Sequence, residues 1–404
     1  MAERYPGGVI SKTPPVVTGP TGGEGGSASG MWTLDTVLEY EKAGAWPKPT
    51  LPRELYAWGL NTNGQLGDNT VVRRSSPVQV GALTTWLQVA VGSTHTAAVK
   101  TNGTLWAWGR NNNGQLGDST AVNFSSPIQV GALTTWSEIA AGGNSTAAIK
   151  TDSTLWSWGS NLQGQLGLND TAFRSSPVQV GALTAWFQIA AGNQHTAAIR
   201  TNGTMWAWGR NLEGQVGDNT TVYRSSPVQV GAITNWSQIT CGSTHTAAIK
   251  TDGTLWAWGR NNFGQVGDNT SVNKSSPTQV GALTTWSQVA GGNLHTVAIK
   301  TDGTLWAWGR NTYGQVGDNT VVDRSSPVQV GALTTWLQIA ASATDTAATK
   351  TDGTLWTWGR NDQGQVGDNT IVSRSSPVQV GALTTWFRVA RGATAEHASA
   401  ITKG

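Results

Sequence analysis

The chain has 404 residues, a net charge of +3 and only 12% charged residues, against 51 glycines and 22 tryptophans. So small a charge gives no field for a nucleic-acid track or a membrane surface, and no apolar run approaches the ~18 residues of a membrane-spanning helix. Cys241 is the single cysteine, which excludes an internal disulfide framework and a cysteine-rich zinc site.

The first segment, residues 1–53, reads as an extended anchor. "MAERYPGGVISK" lacks the apolar run of a signal peptide, so the chain reads as made in a cytoplasm. Residues 1–30 hold eight Gly and four Pro, too little apolar matter for a core. "TLDTVLEYEKAG" predicts one short helix over about 33–43, capped by Thr33 and stopped by Gly44. Leu34, Val37 and Leu38 share one side of it. A helix of ~10 residues does not hold alone in water, so the segment is expected to dock on something. Val9, Ile10, Val16, Met31, Trp32 and Trp46 are its other candidate anchoring side chains.

From residue 54 to 404 the chain repeats itself. The "WG" tryptophans recur every 50 residues, from Trp58 to Trp358, and "SSP" and "GALTTW" keep the same step. One unit reads "TLWAWGRNNFGQVGDNTSVNKSSPTQVGALTTWSQVAGGNLHTVAIK". It contains four strand-like runs between Gly, Asn, Asp and Ser punctuation, and seven such units predict an all-β fold, a seven-bladed β-propeller of four-stranded blades. "KTDGTLW" predicts a hairpin joining the last run of one unit to the first run of the next, with positive φ at both turn residues. The runs at 54–59 and 397–402 are left without partners, so they are expected to pair and close the ring. Trp106 and Trp108, like Trp306 and Trp308, are two apart and share one strand face. Blades are covered on both faces, so these pairs are blade-packing residues, set against the Ala and Gly of "HTAAIK" and "QIAAG".

Chemistry is harder to find. His95, His195, His245, His295 and His397 occupy one repeat position and read as structural residues, each satisfied near its own turn, without a nucleophile or carboxylate partner. The "GDNT" aspartates follow no calcium ladder and read as turn-formers. "GRNNFGQVG" lacks the lysine and helix of a phosphate loop. No catalytic, cofactor or metal site is expected. The Arg110-type and Lys100-type cations read as a solvated or ion-paired rim. What varies between units is the loop between the first two runs, and its exposed aromatic and polar side chains suit recognition. Arg73, Asn123, Phe124, Phe173, Tyr223, Phe263, Tyr313 and Asp323 are the candidate partner-binding residues.

The unit "LWAWGRNxxGQVGD…SSPVQV…W.Q.A.G..HTAAIKTDG" resembles the regulator of chromosome condensation repeat over residues 54–404. That resemblance implies a seven-bladed propeller and, by its relatives, non-enzymatic roles as various as nucleotide exchange on a small GTPase, chromatin binding and enzyme inhibition. The units depart from the pattern at Tyr56, at Ser145 and Asp345 in place of histidine, and at Ser342 and Thr349. The stretch over residues 7–47, with "SASG", "WTLD" and "AG-WP", is similar to N-terminal segments of tail-fibre-like structural proteins of tailed phages. That likeness implies a virion protein, residues 1–53 docking on other virion proteins and the propeller meeting a host surface protein or glycan, with a possible homo-oligomer in the particle and no membrane insertion or nucleic-acid partner. The alternatives are a regulatory protein-binding propeller, for which the border between residues 342–345 and 393–397 is the nearest asymmetric feature, and a lectin-like glycan binder.

Overall fold

A computed structural model describes residues 53–403; the helix expected over 33–43 and the anchoring side chains from Val9 to Trp46 lie outside the described residues. Among the described residues, 28 strands form seven antiparallel four-stranded sheets. In the first blade Trp86–Val91 is innermost, followed by His95–Lys100, Leu105–Gly109 and the outermost strand Phe124–Gln129. Each blade thus takes its inner pair of strands from one sequence unit and its outer pair from the next. The seventh blade joins the chain's two ends: Leu55–Gly59 pairs with His397–Thr402, in register from Leu55 opposite Ile401 to Gly59 opposite His397. The ring is closed as the unpaired runs required.

The antiparallel order sends "GALTTW" and "KTDG" to one face of the propeller, the turn face. The long connections after each "WG" and the hairpins before each histidine emerge on the other, the loop face. The "KTDG" turn differs from expectation. Only its glycine has positive φ (76° at Gly303); Asp302 does not. Lys300 N donates to Thr304 O and Gly303 N to Lys300 O, both near 3 Å, while Asp302 Oδ1 accepts from Thr304 N and Oγ1. This is a three-residue loop ending in a left-handed residue. The side-chain bonds to Thr304 replace the second positive φ of a two-residue turn.

Packing follows from the pairing of bulky and small faces. Trp308 is fully buried and Trp306 half-buried, as are Trp108 and Trp106 in the first blade. Trp286 meets Trp306 edge-on at 6.2 Å and Trp308 at 6.1 Å, making a three-indole cluster on one blade face. That face packs against Ala247, Leu255 and Ala257 of the preceding blade. Each "WG" indole also reaches across the gap: Trp308 Nε1 donates to Gln265 O at 3.0 Å, and Trp58 Nε1 to Gln365 O at 2.9 Å across the closing seam. The following glycine is obligatory. Gly309 has φ +101°, and a Cβ there would sit 2.5 Å from Leu294 O. Gly309→Ala is expected to cost at least ~1–3 kcal/mol, measured as a lower urea midpoint.

Candidate functional site

The loop face is built from a buried asparagine in every unit. Asn311 Nδ2 donates to Asp318 Oδ1, Thr320 O and Val322 O, each at 3.1 Å, while its Oδ1 accepts from Val316 N at 2.9 Å. Asp318 holds Arg324 at 2.6 Å; burial opposes its ionisation, but Thr320 and Arg324 keep the carboxyl below its ordinary value. The "GDNT" carboxylates are therefore committed to their own loops. Most of them pair with the cation before "SSP" (Arg74, Arg224, Lys274, Arg324 and Arg374), while the cations after "WG" are left for other contacts.

Those remaining cations organise the variable loops. Arg310 Cζ lies 5.4 Å from the Phe263 ring centroid and 5.9 Å from that of Tyr313. Arg360 Cζ lies 5.3 Å from Tyr313 and is paired with Asp362 at 2.5 Å and Glu396 at 3.0 Å. Arg73 Nη1 donates to Asp362 O at 3.3 Å. Phe263, Arg310, Tyr313, Arg360 and Arg73 thus form a continuous ridge over the loops of four consecutive blades, from the fourth to the seventh. The equivalents of Phe263 and Tyr313 elsewhere are Asn63, Asn113, Gln163, Glu213 and Gln363, so the ridge occupies one part of the ring. A guanidinium held on aromatic faces keeps its charge while losing little side-chain entropy on contact.

The other candidates divide. Phe173 and Tyr223 are exposed on the loop face, away from the ridge loops. Asn123 and Asp323 are exposed, yet their side-chain oxygens accept from Asn111 N and Asn311 N at 2.7 Å and fasten the loop to the preceding strand. Phe124 corrects its expectation. It opens the outermost strand opposite Gly109 and packs, half-buried, on the cluster of Trp136 and Ile139. The sequence reading placed the loop's end one residue too late. It also missed Arg310 and Arg360, each of which lies against an aromatic ring of the preceding unit's loop.

The five histidines are buried and bridge blades. His245 Nε2 meets Thr296 Oγ1 of the next blade at 2.9 Å, and Thr296 Oγ1 donates to Gln265 O at 2.8 Å. The threonine proton is spent on that carbonyl, so the histidine donates and is held neutral. Burial pushes the histidine pKa values down to about 3 to 4. Their partner lies in the neighbouring blade and not at their own turn. Cys241 is also buried, its thiol pushed up to about 12. Among the described residues, no group of three or more His, Cys, Asp or Glu is placed to hold a metal ion.

A family model described as the RCC1-like domain matches residues 54–401. The chain belongs to this family. Among solved structures, this RCC1-like chain is similar to Prp20p from Saccharomyces cerevisiae, at 20% identity, with 87% of this chain and 92% of that one covered and a TM-score of 0.78. Human WBSCR16 is similar at 21% identity, 87% and 99% coverage and a TM-score of 0.78. At these identities the likeness concerns the fold. No curated protein matches the chain.

One blade boundary of this RCC1-like propeller is built differently. Asp345 stands where five other blades have histidine and one has Ser145, and it is fully buried against Arg391 of the seventh blade, also fully buried. Arg391 Nη2 donates to Gln365 O at 3.0 Å, and Ser342 Oγ donates to Asp345. The boundary expected to be asymmetric from the sequence therefore holds a buried ion pair, directly beneath the Arg360–Glu396 end of the ridge.

Proposed function

We propose that the chain is a protein-binding propeller, acting by recognition without bond chemistry, and that the ridge from Phe263 to Arg73 is its contact surface. The observation that carries this reading is the alternation of aromatic rings and guanidinium groups over four loops of one face. Such side chains dominate the centres of protein interfaces. Exposed Val72, Val272, Val322 and Val372 on the same loops add apolar area beside it. Prp20p, described as binding Gsp1p and histones, and yeast RCC1 (Prp20) bound by Kap60 are examples of protein partners met by this fold. A regulatory role of the exchange-factor or inhibitor type is the narrower form of this proposal.

The test is site-specific photocrosslinking in the producing cell. A crosslinker at Tyr313 is expected to capture a discrete protein, one at Thr251 on the turn face is not, and Arg310→Ala is expected to weaken the captured complex about tenfold or more. Equal capture from both faces would sink the proposal. If the partner is a small GTPase, nucleotide release is expected to accelerate in the presence of the chain.

A second reading concerns where that binding takes place, and the phrases "SASG", "WTLD" and "AG-WP" favour it. Here residues 1–53 anchor the chain on other proteins of a phage particle, and the propeller projects toward the host. Antibody labelling of purified particles is expected to decorate the virion. Its absence from particles that otherwise contain a full tail would end this reading.

A further inference from the structure

Between the fifth and sixth blades lies a cavity of about 330 Å³, within the size range of small-ligand sites. Trp336, Trp356 and Lys350 line it, together with Leu333, Gln329 and Asn319. The Lys350 ammonium sits 3.6 Å from the Trp356 ring centroid and 5.0 Å from that of Trp336. The residue is 7% exposed, and its charge meets no acceptor oxygen within hydrogen-bond distance among the described residues. The nearby Asp318 does not answer it, being neutralised by Arg324 at 2.6 Å. Asp352, two residues on, attracts the ammonium but bonds Thr354 N and Oγ1 and makes no ion pair with it, so a cation held on two indoles, with no acceptor at bonding distance, borders the cavity.

The rest of the lining is amphipathic. Leu333 is 48% exposed. Gln329 is exposed, and its amide has no partner, whereas Gln229 and Gln379 donate to the carbonyls of Gly231 and Gly381. Asn319 is exposed, its backbone fixed at φ 62° by a bond from its N to Ser375 O. Leu83, Leu133, Leu183, Leu283 and Leu383 repeat Leu333, all exposed, within a turn that is nearly the same in every unit, with Ile233 in the remaining one. The tryptophans of the cavity also recur in the other blades, with lysine over them in five units.

We infer that this inter-blade cavity is a saccharide site, repeated around the ring, that takes a pyranose sugar with a preference for a uronic acid. A pyranose presents one apolar C–H face and a belt of hydroxyls. Leu333 and the exposed part of Trp356 match the first, and the Gln329 and Asn319 amides match the second. A carboxylate supplies what the Lys350 ammonium lacks. One site of this size binds a monosaccharide weakly, and repetition raises the avidity for a polymer displaying many copies. This site is separate from the loop-face ridge, and its failure would leave the protein-binding proposal standing.

The experiment uses the full chain and three probes: D-glucose and D-glucuronate by saturation-transfer NMR, and a uronic-acid polysaccharide immobilised at high and low density. Glucuronate is expected to bind more tightly than glucose, and the dense surface to retain the chain at least about tenfold longer than the sparse one. Lys350→Gln tests the anion preference at one site. For avidity, Leu83, Leu133, Leu183, Leu283, Leu333 and Leu383 are all replaced by Asp. These exposed positions leave the fold intact, checked by an unchanged urea midpoint, and retention is expected to fall about tenfold or more. Arg310→Ala is expected to change none of these signals. No binding of either sugar up to about 50 mM, or retention unchanged in the six-leucine variant, overturns the inference. So does binding of acidic peptides with no binding of sugars.

Discussion

Acidification from pH 7 to pH 5 is expected to destabilise the propeller by several kcal/mol, enough to bring it to the edge of unfolding. His95, His195, His245, His295 and His397 have folded pKa values of about 3 to 4, below the unfolded value of about 6.5. The unfolded chain therefore binds protons that the folded chain refuses. The stabilisation is fully present above about pH 6.5 and is lost as pH falls toward the folded values. Each histidine then removes roughly 2 kcal/mol by pH 5, and five remove on the order of 10. Two groups act in the opposite sense. Burial raises Glu138 to about 7 and Asp345 to about 6, so protonation on acidification favours the folded state, and together they offset about a third of that loss. The remainder is comparable to the whole stability of an ordinary domain, about 5–15 kcal/mol. Urea midpoints at pH 7, 6 and 5 measure it. The second unit already carries Ser145 at the histidine position, so His245→Ser is expected to fold and to lose about one-fifth of the histidine-dependent slope. A midpoint that does not move between pH 7 and pH 5 would rule out the histidine bridges as the acid-sensitive element.

The ring was legible in the sequence because its determinants are local and repeated. The 50-residue step, the Trp pair of each third strand and the unpaired runs at 54–59 and 397–402 imply blade number, packing face and closure without any long-range information. The loop face was legible only in part. Phe263 and Tyr313 are recognisable as variable aromatics, but the ridge exists because Arg310 lies between them in space, one blade on from Phe263, and a stacking contact across that distance leaves no pattern in either loop. Asn123 and Asp323 look like free recognition groups, since a side chain closing a bond to a backbone N–H 12 residues earlier has no short-range signature. The histidine position was correctly read as structural, yet its partner, a threonine 51 residues later, could be found only from the blade-to-blade register.

Asp345→Ala is expected to cost about 3–5 kcal/mol. It strands the Arg391 guanidinium, which has no exposure to water, with only the Gln365 carbonyl at 3.0 Å. Arg391→Ala is expected to cost less. Burial pushes the Asp345 carboxyl up to about 6, and without Arg391 it can take a proton instead of remaining a buried charge. The double variant is expected to be more stable than the sum of the two predicts, with a coupling of about 1–3 kcal/mol in urea titrations. The boundary also explains why four positions depart from the repeat together. Elsewhere a threonine donates to the glutamine carbonyl, as Thr346 does to Gln315 O at 2.8 Å, and accepts from a histidine of the preceding blade. The seventh blade has Ala398 where that threonine would stand, and Arg391 makes the bond to Gln365 O in its place. Four of the five histidines stand three residues after a glycine whose Cβ would crowd the ring, as at Gly292, where it would lie 2.3 Å from His295, whereas the Ser342 hydroxyl bonds Asp345. Asp345→His by itself is therefore expected to be as damaging as Asp345→Ala. Ser342→Gly, Asp345→His, Arg391→Ala and Ala398→Thr combined are expected to rebuild the ordinary bridge and return most of the lost stability. If the fourfold variant is no more stable than Asp345→His, the ion pair is not a replacement for the histidine–threonine contact.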